Sequence, residues 1–391
     1  MTSDLLSTAQ AAELLGVRTA TIYSYVSRGV LTRAGSASRH DGSLFRRADV
    51  IALRDNRIRR RSGIFEVSID TAITRIDPAG RLFYRGHDVT DLARDSTFER
   101  TAEMLWVTAE LDWSPNTSSA RAARVARESA TTSSPAARAR LAVAALAAAE
   151  TPSDDLPSAG VAAVNAAVDA TAAATAPADE ADGAGPASTR LADALGARSP
   201  AERHLVGAAM VLLADHELAT STVAARVAAS TGAGVFDVVT AGLSAMPGPR
   251  HGQVSREVVR FLQRCADDGP RAATAAWDGR LPGFGHIVYA APDPRAAALL
   301  DLLAELAPDT VDTVDTVDLA DAVIVEALRA TGQHPNIDLA LGALEVGLRL
   351  VPGSGEAIFT IARIAGFVAH MAEELGQPLR FRARAEYVGP E

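Results

Sequence analysis

Residues 281–295 read LPGFGHIVYAAPDPR and place one histidine inside a segment rich in glycine and proline. Gly283 and Gly285 stand directly before His286, and Arg295 follows nine residues after it. Because glycine and proline disfavour a continuous helix, this stretch predicts a loop. We expect the two glycines to let substrates approach His286 closely, and Arg295 to belong to the same loop system.

Two further histidines and one carboxylate lie in comparable segments. His216 stands in DHE at 215–217, His251 in GPRHG at 248–252, and Asp338 in HPNID at 334–338. A single histidine is more often a buried imidazole that hydrogen-bonds the backbone, so each is a candidate only as part of the set. The arginines of the set are Arg295, Arg363 and Arg382. No Cys/His spacing typical of zinc is present, and we expect no metal site.

The composition excludes several function classes. The 391 residues carry a net charge of −10, and all 38 basic residues are arginine. Schiff-base catalysis, P-loop phosphate binding and pyridoxal attachment all need a lysine, so they are excluded. The one cysteine, Cys265, allows no intrachain disulfide. Neither a signal peptide nor an apolar run of roughly 18 residues is visible, so we expect a cytoplasmic protein without membrane contact.

The first 62 residues differ in charge from the remainder. They hold 11 arginines and 5 acidic residues, a net charge of +6, which leaves −16 for the rest of the chain. Such asymmetry favours two units with different partners.

Helix and turn signals in this basic segment predict a winged helix-turn-helix. STAQ at 7–10 is a capping box that opens a helix to Leu15, Thr19 can cap a second helix, and Asp49 starts a third. Asp41-Gly42 predicts a hairpin turn, hence a wing. The pattern resembles the MerR and excisionase type. The candidate DNA contacts are Arg18, Thr21, Tyr23, Arg39, Arg46 and Arg47. The alternative is a basic helical module that contacts protein.

The remainder of the chain predicts helices. Thr97 is placed to cap a helix that runs through Trp106, and the pattern after residue 203 is helical almost throughout. Residues 150–203 are rich in Ala, Pro, Asp, Ser and Gly and predict alanine-rich helices interrupted by loop. The triplet repeat TVDTVDTVDL at 310–319 we interpret as a tolerated surface insertion.

Taken together, these segments resemble the citrate synthase family. The motifs occur in the family's order, from DTAI at 70–73 and YRG at 84–86 to EYVG at 386–389. The resemblance implies an all-α fold with its catalytic residues in the cleft between two domains. The expected boundaries are 1–62 for the helix-turn-helix module, 63–252 and 350–391 for a large domain, and 253–349 for a small domain that closes over oxaloacetate.

The resemblance also implies a role for each residue of the set. His251 would hydrogen-bond the acetyl thioester oxygen, His286 would bond the oxaloacetate ketone, and Asp338 would remove the methyl proton. The residues implied to hold oxaloacetate are His216, Arg295, Arg363 and Arg382, the last from the partner subunit of a homodimer. The loop implied to bind coenzyme A through its backbone comprises Leu281, Pro282, Gly283, Phe284 and Gly285. No permanently bound cofactor is expected, since acetyl-CoA is a co-substrate.

Four positions depart from the family pattern: Ala219, Gln253, Ile287 and Ala383. None removes an acid, a base or a carboxylate-binding group. Ala219, which stands where the family usually has asparagine, is the departure most relevant to substrate preference or rate.

The reaction itself requires this inventory of residues. A thioester α-proton is weakly acidic. A carboxylate base can therefore remove it only if a hydrogen-bond donor stabilises the negative charge that develops on the thioester oxygen. A dianionic second substrate suits forked guanidinium groups. The sequence leaves open whether acetyl-CoA or propionyl-CoA is used, since one methylene changes binding by only about 1–3 kcal/mol. A DNA-binding regulator with a citrate-synthase-like sensor body is a further alternative, although a sensor would not need Asp338.

Overall fold

The computed structural model describes residues 5–15, 17–27, 31–36, 43–51, 53, 68–149, 155–172, 185–248, 254–289, 291–306, 311–379 and 381. The chain divides into two compact units, Met1–Asp70 and Thr71–Glu391. The expected module boundary after residue 62 lies outside the described residues.

The first unit combines two helices with a small sheet. Its elements are β1 (Leu5–Ser7), α1 (Thr8–Leu15), α2 (Thr19–Ser27), β2 (Gly35–Ser36) and β3 (Ser43–Arg46). The strands are antiparallel in the order β1-β3-β2, with Leu6 opposite Phe45. A separate hydrophobic core is formed by Leu6, Ala11, Ala12, Leu15, Ile22, Leu31, Phe45 and Val50. The predicted helix-turn-helix is therefore confirmed.

Local signals account for this unit. The Ser7 N–H donates to Gln10 Oε1 at 2.9 Å and the Gln10 N–H donates to Ser7 Oγ at 3.3 Å, so the capping box is confirmed. Helical backbone resumes at Arg47, two residues before the predicted Asp49. The turn at Asp41-Gly42 lies outside the described residues, but the strands on either side of it pair as a wing requires.

The second unit opens with an antiparallel meander and continues as helices, in agreement with the all-α prediction. The strands are β4 (Thr74–Ile76), β5 (Leu82–Tyr84) and β6 (His87–Asp88). The described helices are α3 (Val89–Asp95), α4 (Phe98–Trp106), α5 (Thr117–Ser129), α6 (Pro135–Ala148), α7 (Leu156–Asp169), α8 (Ala187–Ala194), α9 (Pro200–Leu213), α10 (Thr220–Ala229), α11 (Val235–Ser244), α12 (Val254–Asp268), α13 (Pro270–Ala276), α14 (Pro294–Leu306), α15 (Val311–Thr331), α16 (Ile337–Gly347) and α17 (Ser354–Glu374).

Side-chain caps set several of these helix starts. Thr97 accepts a hydrogen bond from the Arg100 N–H at the start of α4, as predicted. Ser199 and Glu202 form a capping box at α9. In α6 and α7 the buried face is largely alanine, and these small side chains let neighbouring helices approach closely.

Helix α17 is the central element of the second unit. Nearly every residue of it is buried, and it packs on α4, α6, α7, α9, α10 and α11. The Trp106 Nε1–H donates to the carbonyl oxygen of Ala365 at 2.9 Å. This packing places Arg363, in the middle of α17, deep within the helical body.

Helices α12, α13, α15 and α16 pack on one another. Val258 and Phe261 of α12 are buried beside Cys265, and Gly342 of α16 lies where a Cβ would be 2.4 Å from Val258 Cγ1. The triplet repeat, which we interpret as a surface insertion, forms the start of α15 from Val311, with Asp315 and Asp318 exposed and Thr316 buried. In the described part of the chain, no helix is long and apolar enough to cross a membrane.

Candidate active site

The loop before His286 is held against the start of α16. Gly283 and Gly285 adopt positive φ angles of 82° and 69°, which favour glycine. A Cβ on Gly283 would lie 3.0 Å from Leu339 Cβ. The Gly285 N–H donates to the His334 carbonyl at 2.7 Å, and the Asn336 N–H donates to the Gly283 carbonyl at 2.9 Å. The glycines thus serve turn geometry and close packing, and the substrate approach that we expected stays a prediction.

Most of the predicted coenzyme A loop, residues 281–285, is buried. Leu281, Pro282, Gly283 and Phe284 are buried as whole residues, and Gly285 is partly buried. Arg280 donates to the carbonyl oxygens of Phe284 and Gly285 at 3.0 and 2.7 Å. This arginine, which the sequence analysis did not single out, shapes the loop.

His286 is held in one tautomer. Its Nδ1 accepts the Val288 N–H at 3.1 Å. Burial, followed by the charge of Arg295, lowers the pKa of His286 to about 4. A neutral imidazole carries one proton, and because Nδ1 is the acceptor, that proton is on Nε2. His286 therefore offers an Nε2–H donor throughout the physiological pH range.

His216 is buried and pairs with a residue that the sequence analysis missed. Its Nε2 lies 2.9 Å from the Tyr289 hydroxyl. The rings of His216 and His286 are 5.3 Å apart between centroids, and Tyr289 lies 4.8 Å from His286. Burial, then the charges of Arg295 and Arg363, lower the pKa of His216 well below its ordinary value. Tyr289 stands three residues after His286, and that proximity was the available signal.

Arg295 occupies the centre of the cluster and has a fixed partner. It is 2% exposed, and its Nε and Nη2 donate to Asp293 at 3.0 and 2.8 Å. Burial would lower the pKa of Arg295, but the ion pair with Asp293 raises it. Asp293 Oδ2 also accepts the Ile337 N–H at 3.1 Å, which ties this pair to the start of α16. The charge of Arg295 acts on the pKa values of His216, His286, Asp338 and Arg363.

Arg363 is a buried cation with unused donors. It is 1% exposed, and neither Nε nor Nη1 has a hydrogen-bond partner among the described residues. Its guanidinium lies 5.0 Å from the Phe359 ring centroid. Because a buried unpaired charge is costly, a guanidinium in this state is suited to bind an incoming carboxylate.

Asp338 has the properties of a general base. Asn336 caps α16 by accepting the Asp338 N–H at 3.0 Å, and this fixes the backbone at Asp338. Asp338 Oδ1 is buried without a partner in the described chain. Burial raises the pKa of Asp338 to about 7, although the charge of Arg295 acts in the opposite direction. A carboxylate with this pKa is a stronger base than aspartate in water.

Four of the other predicted residues fall outside the described part of the chain. His251, Arg382, Gln253 and Ala383 are outside the described residues, with α12 beginning at Val254, shortly after His251. Ala219 occupies the N-cap position of α10 and makes no side-chain cap. Ile287 is 99% exposed. Among the described residues, no group of three or more His, Cys, Asp or Glu could hold a metal ion.

A cavity of about 450 Å³ lies beside the cluster. Tyr289 and Val288 form one wall, and the turn between β4 and β5 together with Glu217 forms another. Glu217 Oε1 accepts the Ile76 N–H at 2.9 Å, which fixes that wall. The volume is in the range of small-molecule sites.

The profile of the citrate synthase C-terminal domain family matches residues 65–384. The chain belongs to the citrate synthase family. A helix-turn-helix domain profile matches residues 5–57. Citrate synthase of Saccharolobus solfataricus is 32% identical over 206 residues, which are 50% of this chain and 55% of that protein. Citrate synthase 2 of Bacillus subtilis is 30% identical over 201 residues, 49% of this chain and 53% of that protein. The chain thus spans about half the length of the curated relatives it matches.

Solved structures of the family share the fold. Citrate synthase from Thermotoga maritima aligns with a TM-score of 0.67 at 24% identity, covering 84% of this chain and 96% of that one. A ternary complex of carboxymethyl coenzyme A and oxaloacetate with citrate synthase from Thermoplasma acidophilum aligns with a TM-score of 0.69 at 24% identity, with the same coverage. The citrate synthase fold predicted from the sequence is confirmed.

The first unit displays a polar face on its second helix. Arg18, directly before α2, is exposed, as is Tyr23 on α2 at 48%, whereas Thr21 is half-buried and Ile22 lies in the core. On β3, Arg46 is exposed, and Arg47 follows it half-buried. Of the candidate DNA contacts, Arg39 lies outside the described residues.

Proposed function

We propose that the chain is a citrate-forming acyltransferase, joining acetyl-CoA, oxaloacetate and water to give citrate and coenzyme A. One observation carries this proposal. The charge of Arg295 acts on three groups: Asp338, His286 with its neutral Nε2–H donor, and Arg363. Among the described residues, Asp338 Oδ1 and the Nε and Nη1 of Arg363 have no hydrogen-bond partner. The reaction needs a base, an electrophile and a carboxylate-binding group.

In the proposed mechanism, Asp338 removes a methyl proton from the thioester. His251 donates to the thioester oxygen and stabilises the enol, whose carbon then attacks the ketone of oxaloacetate. The Nε2–H of His286 donates to the ketone oxygen as negative charge develops there. Water then hydrolyses the thioester and releases coenzyme A.

The acceptor subsite in this proposal is formed by arginines and one histidine. Arg363 binds a carboxylate of oxaloacetate through its free donors, and Arg295 is held by Asp293 at the centre of the subsite. Arg382 of a partner subunit completes it in a homodimer, and His216 contributes through its pair with Tyr289. The backbone of residues 281–285 would contact coenzyme A. We further propose that the segment 253–349 closes over bound oxaloacetate, and that the protein acts in the cytoplasm as the first enzyme of the tricarboxylic acid cycle.

The decisive experiment measures coenzyme A release with oxaloacetate and either acetyl-CoA or propionyl-CoA. A larger kcat/KM for acetyl-CoA is expected, and a preference for propionyl-CoA would instead identify a 2-methylcitrate synthase. Absence of turnover with both, in protein that binds oxaloacetate, would reject the enzyme and favour a regulator with a sensor body.

We also propose that the N-terminal module binds DNA. The exposed Arg18 directly before α2 and the exposed Tyr23 on α2 support this proposal, together with the net charge of +6 over the first 62 residues. Phosphate contacts release counterions, so binding should weaken steeply with salt. Salt-titrated binding to genomic fragments tests it. Arg18→Ala should weaken binding, whereas Arg33→Ala, which changes an exposed arginine between α2 and β2, should have a smaller effect. No fragment bound above background at low salt would reject it in favour of protein contact.

A further inference from the structure

A row of buried polar residues continues from the site along one face of α17. Arg363, Gly366, His370 and Glu374 are spaced three or four residues apart, which places them on the same helix face. Both His370 and Asp215 are completely buried. Hydrogen bonds connect Asp215, the neighbour of His216, to His370, and His370 to Arg226 on α10.

Hydrogen-bond geometry fixes the proton of His370. Arg226 Nη1 lies 2.5 Å from His370 Nδ1, and arginine can only donate. Nδ1 is therefore the acceptor, so the ring N–H at Nε2 faces Asp215 Oδ2 at 3.3 Å. Arg226 also donates to Glu374 at 3.1 Å and Glu373 at 3.0 Å, and so keeps two carboxylate partners of its own.

Asp215 receives these donors on one oxygen only. Oδ2 accepts the Thr74 hydroxyl at 2.6 Å as well as the His370 N–H, whereas Oδ1 has no hydrogen-bond partner among the described residues. Of the charges that act on Arg363, that of Asp215 is the strongest. The free Nε and Nη1 of Arg363 nevertheless remain without a partner in the described chain.

We propose that His370 is a positioning residue that holds Asp215 away from Arg363, so that the guanidinium stays open for a carboxylate of the substrate. The proposal rests on the proposed function, in which Arg363 binds oxaloacetate. A hydrogen bond between carboxylate and guanidinium is charge-assisted on both sides, so an Asp215 released by His370 would turn toward Arg363. It would then compete with the substrate inside the protein.

The test compares two substitutions of His370. His370→Leu removes both hydrogen bonds at similar volume, and should raise KM for oxaloacetate about 10-fold while kcat changes less than about 3-fold. His370→Gln can still accept from Arg226 and donate to Asp215, so its KM should stay within about 3-fold of wild type. An unchanged KM in folded His370→Leu protein would overturn the proposal.

A double variant separates competition from simple loss of structure. Asp215→Asn removes the competing charge, so His370→Leu with Asp215→Asn should bind oxaloacetate more tightly than His370→Leu alone. A merely structural role predicts that the two losses add, and that result would overturn the proposal. If His370→Leu does not fold, His370→Asn, too short to bridge both partners, replaces it in both measurements.

A direct readout does not depend on turnover. A crystal structure of His370→Leu should show Asp215 within hydrogen-bond distance of Arg363, and calorimetry should show weaker oxaloacetate binding. If wild type binds oxaloacetate without turnover and the ion pair forms in the variant, the proposed function fails while the role of His370 stands. A variant structure with Asp215 unmoved would overturn that role.

Discussion

The backbone N–H of Gly366 donates to the carbonyl oxygen of Ala214 at 2.9 Å, although Gly366 lies in the interior of α17. A Cβ at Gly366 would lie 2.3 Å from Asp215 Oδ1 and 2.7 Å from the Ala214 oxygen. The missing side chain lets the segment that carries His216 lie directly on the helix that carries Arg363. One glycine thereby sets the spacing between two groups of the proposed oxaloacetate subsite.

Gly366→Ala should therefore destabilise the second unit by about 1–3 kcal/mol, because buried backbone and carboxylate must move. Urea unfolding measures the effect. Gly207→Ala is the matched control, since Gly207 also lies within a helix, α9, and its Cβ would meet nothing closer than 3.9 Å. That control should be neutral or stabilising by up to about 1 kcal/mol. Equal effects of the two substitutions would contradict the proposed close contact.

Asp338→Asn should lower kcat by about 10²–10⁴-fold, because the amide cannot take a proton from the thioester. Oxaloacetate binding should change little, since Asp338 is separate from the proposed carboxylate-binding arginines. Calorimetry with oxaloacetate provides the control for folding. Turnover near that of wild type would sink the assignment of Asp338 as the base.

The pH dependence follows from the same carboxyl group. Burial raises the pKa of Asp338 to about 7, and a base acts only when ionised, so kcat/KM should rise with pH through a midpoint near 7. His286, with its pKa lowered by burial to about 4, stays neutral over that range and adds no second limb. A flat profile between pH 5 and 8 would contradict this, given the range in which such groups titrate.

The raised pKa also predicts a change in stability. A carboxyl with a folded-state pKa above its unfolded value stabilises the protein at low pH and loses that contribution as pH rises through the folded value. Asp338→Asn should therefore gain stability relative to wild type on going from about pH 5 to about pH 8. Thermal unfolding at the two pH values measures the difference in stability between the variant and wild type. If that difference is the same at both pH values, the pKa of Asp338 is not raised.

Tyr289→Phe should raise KM for oxaloacetate about 5- to 10-fold with kcat largely retained, because it leaves His216 Nε2 buried without its partner. The phenylalanine ring preserves the packing against His286. Val288→Ala, a half-exposed neighbour, serves as the control and should have little effect. Identical KM values for wild type and Tyr289→Phe would remove His216 from the acceptor subsite.

A shared site predicts complementation between subunits. Arg382→Ala and Asp338→Ala proteins should each be inactive, and mixing them should restore activity through hybrid dimers with one intact site. Subunit exchange is checked with differently tagged chains. Exchange without recovered activity would show that Arg382 serves its own subunit.

Sequence reasoning succeeded where the signal was local. The capping box at Ser7 and the cap at Thr97 depend on neighbours within three residues, and the loop around His286 follows from its glycines. The roles of Asp215 and His370 could not be predicted, because the residues are 155 positions apart and meet only when α17 packs.

The burial of Cys265 in α12 has a practical consequence. It is the sole thiol of the chain, and burial raises its pKa to about 11, so it is neither accessible nor ionised at neutral pH. A maleimide dye would therefore attach almost exclusively to a cysteine introduced on the surface. Fluorescent probes can then be placed one at a time without first removing a native thiol, and the proposed closure of the segment 253–349 can be tested in solution.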